Sequence, residues 1–230
     1  MTHQPLRAIV TLALVLAGLP LAAQVRNGSH TQPPADAAQR AAAAQAQFAS
    51  ALAQALSPDS IAATLRLIKE HASPATTGLT NFDNVNAPCD FLETAPLAGP
   101  EQYAGFEAPA PNGGAILNGC ANYGVEPHSP PNFLAFNSVS GYYKPAGIPQ
   151  TPELIYVAQG TSSVSLWVSG GDNPSNPFAL VAFGEGGVLG MVNGTTSENW
   201  QQIGIAVPGI RAAGLVGSPG NLLVDDIQTQ

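Results

Sequence analysis

The sequence predicts a mainly β protein, a two-sheet β-sandwich preceded by a short helical arm, and three observations predict it. From residue 79 onward, short apolar runs recur between Gly, Pro, Asn and Ser turn signals. No helical period intervenes, and about ten strands in about 150 residues is the density of a sandwich. Residues 163–169 (SVSLWVS) alternate, with Val164, Leu166 and Val168 facing one way and Ser163, Ser165, Trp167 and Ser169 the other. That is a strand with one face on a core and the other on solvent or a ligand.

The chain opens with the pattern of a secretory signal over residues 1–23. Met1 to Arg7 is short and ends in a positive charge, an apolar run follows, and Leu21-Ala22-Ala23 places small residues before Gln24. The run is shorter than the ~20 residues that cross a bilayer. An uncleaved N-terminal anchor is the alternative. Residues 24–34 are polar and turn-rich, an expected disordered stretch. Residues 35–72 read as the helical arm, two helices broken at 57–58. Phe48, Leu52 and Leu56 share one stripe of the first helix, and Ile61, Leu65 and Ile68 share one face of the second. Ser57 suits the cap and Pro58 the first helical position. The arm is either a cover packed on the next domain or a self-association element.

Residues 73–78 (SPATTG) form a linker, and 79–230 the β-sandwich domain. Strands are expected at 79–85, 102–106, 115–117, 133–137, 153–157, 163–169, 178–183, 188–192, 201–207, 210–216 and 222–229.

The formal charge is -8, and from residue 79 onward twelve acidic residues face two basic ones, Lys144 and Arg211. Such a surface repels phosphate backbones and excludes nucleic acid as a partner class. No later segment is long and apolar enough to span a membrane, so none is expected to engage one once the signal is cleaved. Cys89 and Cys120 both lie in the sandwich region. Export favours a disulfide between them, closing a loop of about thirty residues and stabilising by ~3 kcal/mol; two buried thiols are the alternative. Asn27-Gly28-Ser29 and Asn193-Gly194-Thr195 match glycosylation sequons.

No G-x-S-x-G elbow, P-loop or H-E-x-x-H occurs. Gly184-Glu185-Gly186-Gly187 lacks a following Lys and reads as a hairpin turn. His128 sits alone in a loop, which argues against a metal site there. Glu93, Glu101, Glu107 and Glu126 show no spacing that selects a glycosidase pair. No catalytic residue is assigned. Aromatic residues are the better lead, since flat rings stack on the apolar faces of sugars. Tyr143 lies in a Gly/Pro-bounded loop with Tyr142 and Lys144, Trp167 lies on the polar face of its strand, and Trp200 follows a polar loop. These three are the candidate ligand-binding residues, with core packing as the competing role of each.

Several motifs in order resemble a group of exported bacterial jelly-roll, galactose-binding-like β-sandwich domains of the PEP-CTERM-associated type. They are Asn81-Phe82-Asp83-Asn84-Val85, Tyr103-Ala104-Gly105-Phe106, and Ser129-Pro130-Pro131-Asn132-Phe133-Leu134-Ala135-Phe136. Phe178 to Phe183 with Val188-Leu189-Gly190, Trp200, and Val224-Asp225-Asp226-Ile227 complete the set. The resemblance covers 79–230. Tailed members carry a C-terminal sorting tail, which is not expected here, and the resemblance is to the domain alone. It implies a jelly-roll-like sandwich, secreted or at the periplasm or cell surface, with a polysaccharide or cell-surface glycan as partner.

The resemblance also implies a structural Ca²⁺ where first and last strands meet, with Asp225, Asp83 and Asp226 as candidate ligands in that order. Calcium takes six to eight oxygens, and no D-x-D-x-D-G loop is present. The alternative is that Asp225 accepts hydrogen bonds from loop N–H groups, with Asp226 solvated at a bulge, because a buried charge needs such partners. By simple alternation Leu222 and Val224 share one face of the final strand, while Asp225, Ile227 and Thr229 share the other. The leading functional expectation is a secreted, non-catalytic carbohydrate-binding module. The others are an envelope or matrix protein associating through residues 35–72, and a hydrolase with an unrecognised carboxylate pair.

Overall fold

In the computed structural model the described residues are 35–70, 77–89, 114–136, 153–172, 174–217 and 222–230. The expected signal, the 24–34 stretch, the 102–106 strand, Tyr143 and most of the linker lie outside them. Two helices, α1 (Ala35–Ala55) and α2 (Pro58–Glu70), precede β1 (Leu79–Thr80), β2 (Gly114–Asn118), β3 (Asn132–Phe136), β4 (Glu153–Ser169), β5 (Pro177–Gly184), β6 (Gly187–Thr195), β7 (Gln201–Gly217) and β8 (Leu222–Thr229). The protein is mainly β, and every strand pairing among the described residues is antiparallel.

Hydrogen bonding joins the strands in the order β2-β3-β8-β4-β7-β5-β6, with β1 also on β8. This continuous sheet folds over on itself. The second half of β4 (163–168) pairs with the first half of β7 (201–206) and with β8, whereas the first half of β4 (153–156) pairs with 212–215 of β7. Between the halves the register shifts, and Gly160 and Gly209 stand at φ +89 and φ +85, a region that glycine enters without steric cost. Bulges of this kind bend a sheet sharply. One buried cluster therefore holds inward residues from both layers: Val164, Leu166 and Val168 from β4, Phe178 and Leu180 from β5, Ile205 and Leu215 from β7, and Leu222, Val224 and Ile227 from β8. What reads as four strands at 153–157, 163–169, 201–207 and 210–216 is two long ones. The expected strand at 79–85 is confined to Leu79–Thr80, and the chain turns from there.

The outer face of one layer is covered by the helical arm. Leu154, Tyr156, Ala179, Val181, Phe183, Ala212 and Val216 pack against Phe48, Ala51, Ala55 and Ile68. β5 is consequently buried along its whole length, which is why 178–183 (FALVAF) is a continuous apolar run without alternation. Ser57 caps α2, its Oγ accepting the Ser60 N–H at 3.3 Å. The contact lines run through small residues: Ala51 and Ala55 on α1, and Ser60 and Thr64 with Ile68 on α2. Leu52, Leu56 and Leu65 flank these lines, partly buried. The expected stripe of Leu and Ile is thus rotated slightly, since small side chains let a helix approach the sheet closely. The arm's apolar stripe is occupied within the chain, as a cover.

The outer face of the other layer carries a third cluster, Leu117, Phe133, Ala135 and Leu223, over which Tyr123, Val125 and Trp200 pack. Residues 119–131 cross this face. Cys89 is bonded to Cys120 near the start of that crossing. Asn132, fully buried, donates from Nδ2 to the carbonyls of Phe82 and Val85, each at 2.7 Å. One amide thereby ties the turn at 81–85 to β3. Among the described residues no helix is long and apolar enough to cross a membrane.

Candidate functional site

The site lies where the crossing 119–131 meets β4 and β8. The final strand does not alternate simply. Asp226 stands at φ +45, a left-handed conformation that Asp tolerates better than most residues, and the register against β4 shifts beside it. This bulge reverses the parity, so Ile227 joins Leu222 and Val224 in the core. Ile227 and Asp225 therefore occupy opposite faces, contrary to the alternation expected. Asp225 points outward but is covered completely by the crossing.

Its carboxylate is met by protein donors. Oδ2 accepts the Ser129 N–H at 3.0 Å, and Oδ1 accepts the Asp226 N–H at 2.8 Å. The Ser129 hydroxyl donates to Asp226 Oδ1 at 2.8 Å and lies 3.4 Å from Asp225 Oδ1. His128 Nδ1 is 2.6 Å from Asp226 Oδ2. Burial pushes the Asp225 carboxyl up to about 6; the backbone bonds from Ser129 and Asp226 oppose this, and the charges of Asp226 and Asp83 add to it. Asp83 is raised as well, first by burial and then by Asp226. Asp83 Oδ2 accepts from Asn81 Nδ2 at 2.6 Å, while Oδ1 is buried without a partner among the described residues.

The expected ligands Asp225, Asp83 and Asp226 therefore do neighbour one another, yet as a set they do not fit Ca²⁺. Both oxygens of Asp225 and both of Asp226 are engaged by protein donors. Among the described residues no three His, Cys, Asp or Glu side chains are gathered to hold a metal. A cation wanting six or more oxygens would have to replace these bonds. The arrangement is that of a hydrogen-bonded strut, which answers why an apolar final strand carries paired aspartates: they fasten the crossing to the sheet.

The aromatic residues are positioned by the same strut. His128 stacks on Trp167, ring centroids 4.0 Å apart and planes at 20°. Trp200 meets His128 edge-on at 6.1 Å and 71°, and its Nε1–H donates to the Glu126 carbonyl at 2.7 Å. Trp200 also packs on the cluster beneath the crossing, so it serves the loop's anchorage. Trp167 stands on the outward face of β4, opposite Asp225 on one side and Gln202 on the other. The crossing and His128 occupy the β8 side of the indole. On the β7 side lie exposed Gln202, Gly204 and Ala206.

His128, set aside in the sequence as a solitary loop residue, is thus central to the site. Its partners Asp226 and Trp167 are distant in sequence and no local pattern signals them. The β7 side was legible: in 202–207 (QIGIAV) the outward Gln202, Gly204 and Ala206 alternate with Ile203, Ile205 and Val207, which face the core.

No protein-family profile matches the chain, and no curated protein matches it. Solved structures do. The K2 cleaved adhesin domain of Lys-gingipain is similar at 13% identity, over 61% of this chain and 96% of that one, with a TM-score of 0.43. The module TmCBM61, solved in complex with β-1,4-galactotriose, is similar at 14% identity, over 51% of this chain and 81% of that one, with a TM-score of 0.34. The CBM22-1 xylan-binding domain of Paenibacillus barcinonensis Xyn10C is similar at 9% identity, over 51% and 79%, with a TM-score of 0.32.

Proposed function

We propose that this chain is an exported, non-catalytic β-sandwich module that binds carbohydrate through the outward face around Trp167. The observation that carries the reading is the placement of that indole. It stands on the outward strand face, braced from one side by His128, with the amide of Gln202 opposite it on β7. A flat ring beside hydrogen-bonding groups is what a sugar needs, an apolar CH face to stack and hydroxyls to satisfy. The Cys89–Cys120 bond supports export, because such bonds persist in oxidising compartments.

Trp167 and Trp200 are the two tryptophans of the chain, and both touch His128, so intrinsic fluorescence reports on the site. Titration with a panel of soluble polysaccharides should shift the emission, and Trp167→Ala should weaken binding by roughly tenfold or more. A panel that produces neither a spectral change nor retention in affinity gels would end this reading. So would binding that Trp167→Ala leaves intact.

A further inference from the structure

We infer that the outward face of β4 and β7 is a footprint for the interior of an uncharged, linear polysaccharide lying along the strands, with Trp167 at one end. This rests on the functional reading above and deepens it to a ligand class and a binding mode.

The register sets the footprint. Trp167 lies opposite Gln202, Ser165 opposite Gly204, and Ser163 opposite Ala206. The residues between them, Val164, Leu166, Ile203 and Ile205, pack into the core, so all six point outward. β8 adds Gln228, exposed and opposite Ser165. Four of the six outward residues on β4 and β7 are Ser, Gly or Ala. They form a low floor beside the tall indole, with amides at Gln202 and Gln228 to meet hydroxyls. Gly204 keeps the floor at its lowest: a Cβ there would sit 3.0 Å from the Ser165 Cβ and 3.2 Å from the Val164 carbonyl. From Ser163 to Trp167 the strand advances ~13 Å, about the length of a trisaccharide.

Charge decides the class. None of Ser163, Ser165, Trp167, Gln202, Gly204, Ala206 and Gln228 is ionisable. Carboxylates gather at the indole end, where Asp225, Asp226 and Asp83 lie together beside His128. A uronic-acid or sulfated chain would meet charge of its own sign there, whereas a neutral chain meets hydrogen-bonding groups. Because the floor continues along the strands, successive sugars gain support from it, and the ligand is held along its length.

The test is calorimetric titration of the full chain with neutral oligosaccharides of xylan, mixed-linkage β-glucan, galactan and mannan, from disaccharide to hexasaccharide. Polygalacturonate is the anionic probe, and Trp167→Ala and Ala206→Tyr are the variants. Residue 206 is exposed on a strand, where Tyr is well tolerated; a thermal melt confirms that this variant folds. Affinity is expected to rise about tenfold from disaccharide to trisaccharide or tetrasaccharide and then level off. Ala206→Tyr should lower hexasaccharide affinity by about tenfold and leave the disaccharide unchanged, with polygalacturonate giving no heat. If Trp167→Ala abolishes binding while Ala206→Tyr leaves the length dependence unaltered, the footprint is overturned and the functional reading stands. Tighter binding of polygalacturonate overturns the ligand class. Absence of binding to every probe overturns both.

Discussion

The two outer faces of the sandwich have opposite fates. Over β5, the arm seals the sheet, and Ala179, Val181 and Phe183 are as buried as the residues of the inner core. Over the second half of β4 and the first half of β7, beyond the crossing 119–131, Ser165, Gly204 and Gln228 meet solvent among the described residues. The sequences differ accordingly: FALVAF at 178–183 is apolar on both faces, SVSLWVS at 163–169 on one. The difference teaches where function can sit. A face sealed by apolar contacts serves stability, while a face kept polar next to a braced indole is available to a ligand.

The comparison breaks most sharply at Phe183, which is fully buried on the arm side. Phe183→Ala should cost about 3–5 kcal/mol, the loss of a large side chain plus the cavity left behind. Ser165→Ala on the open face should change stability by less than about 0.5 kcal/mol. Chemical denaturation of the two variants measures both. Equal losses would mean that the arm does not seal its face.

Next in size is the disulfide that secures the crossing over the open layer. Cys120→Ser should cost about 3 kcal/mol on a chain-entropy basis for a loop of this length, read as a lower denaturation midpoint. Because Ser129 and His128 belong to the same crossing, this variant should also raise acrylamide quenching of the tryptophans. An unchanged quenching constant would show that the carboxylate strut alone holds the loop.

The arm, the polar-faced strand and the turn-rich domain were legible because each is written in local periodicity. The parts that escaped depend on backbone exceptions and on distant partners. Simple alternation places Ile227 with Asp225, and only the left-handed conformation at Asp226 puts it in the core. Gly160 and Gly209 let single strands run through positions that read as loops. The site was half legible. Trp167 and the aspartates stood out, whereas His128 acquires its meaning from partners that folding alone supplies. Trp200 reads in the sequence as a ligand contact or a packing residue, and the structure gives its indole N–H the Glu126 carbonyl and its ring an edge-on contact with His128.

A smaller effect separates the strut from the open face by its pH dependence. Asp225 titrates at about 6 in the fold, against about 3.9 when unfolded. Between these values the folded chain holds a proton that the unfolded chain has released. Its contribution is therefore fully favourable below pH ~4 and is lost as pH rises through ~6, worth at most about 3 kcal/mol. Asp225→Asn should flatten this slope in denaturation series between pH ~4 and ~8, because its amide oxygen still accepts from Ser129 and carries no charge. A wild-type slope that Asp225→Asn retains would place the titrating group elsewhere.

The smallest expected effect is that of chelation. Oδ1 and Oδ2 of both Asp225 and Asp226 accept hydrogen bonds from Ser129, from the Asp226 N–H or from His128. Asp83 Oδ1 is the one oxygen of the three carboxylates with no partner among the described residues. A divalent cation would have to strip donors from a strut that already neutralises part of its own charge, and would find few further oxygens in return. The melting temperature of the mature chain should thus stay the same, within about 1 °C, on adding EDTA and on adding back Ca²⁺. A fall with EDTA that Ca²⁺ restores, and that Asp83→Asn removes, would show instead that the unpartnered oxygen is aimed at a metal. The strut would then be one side of a coordination shell, and the open face beside it would lie next to a cation rather than next to excess negative charge.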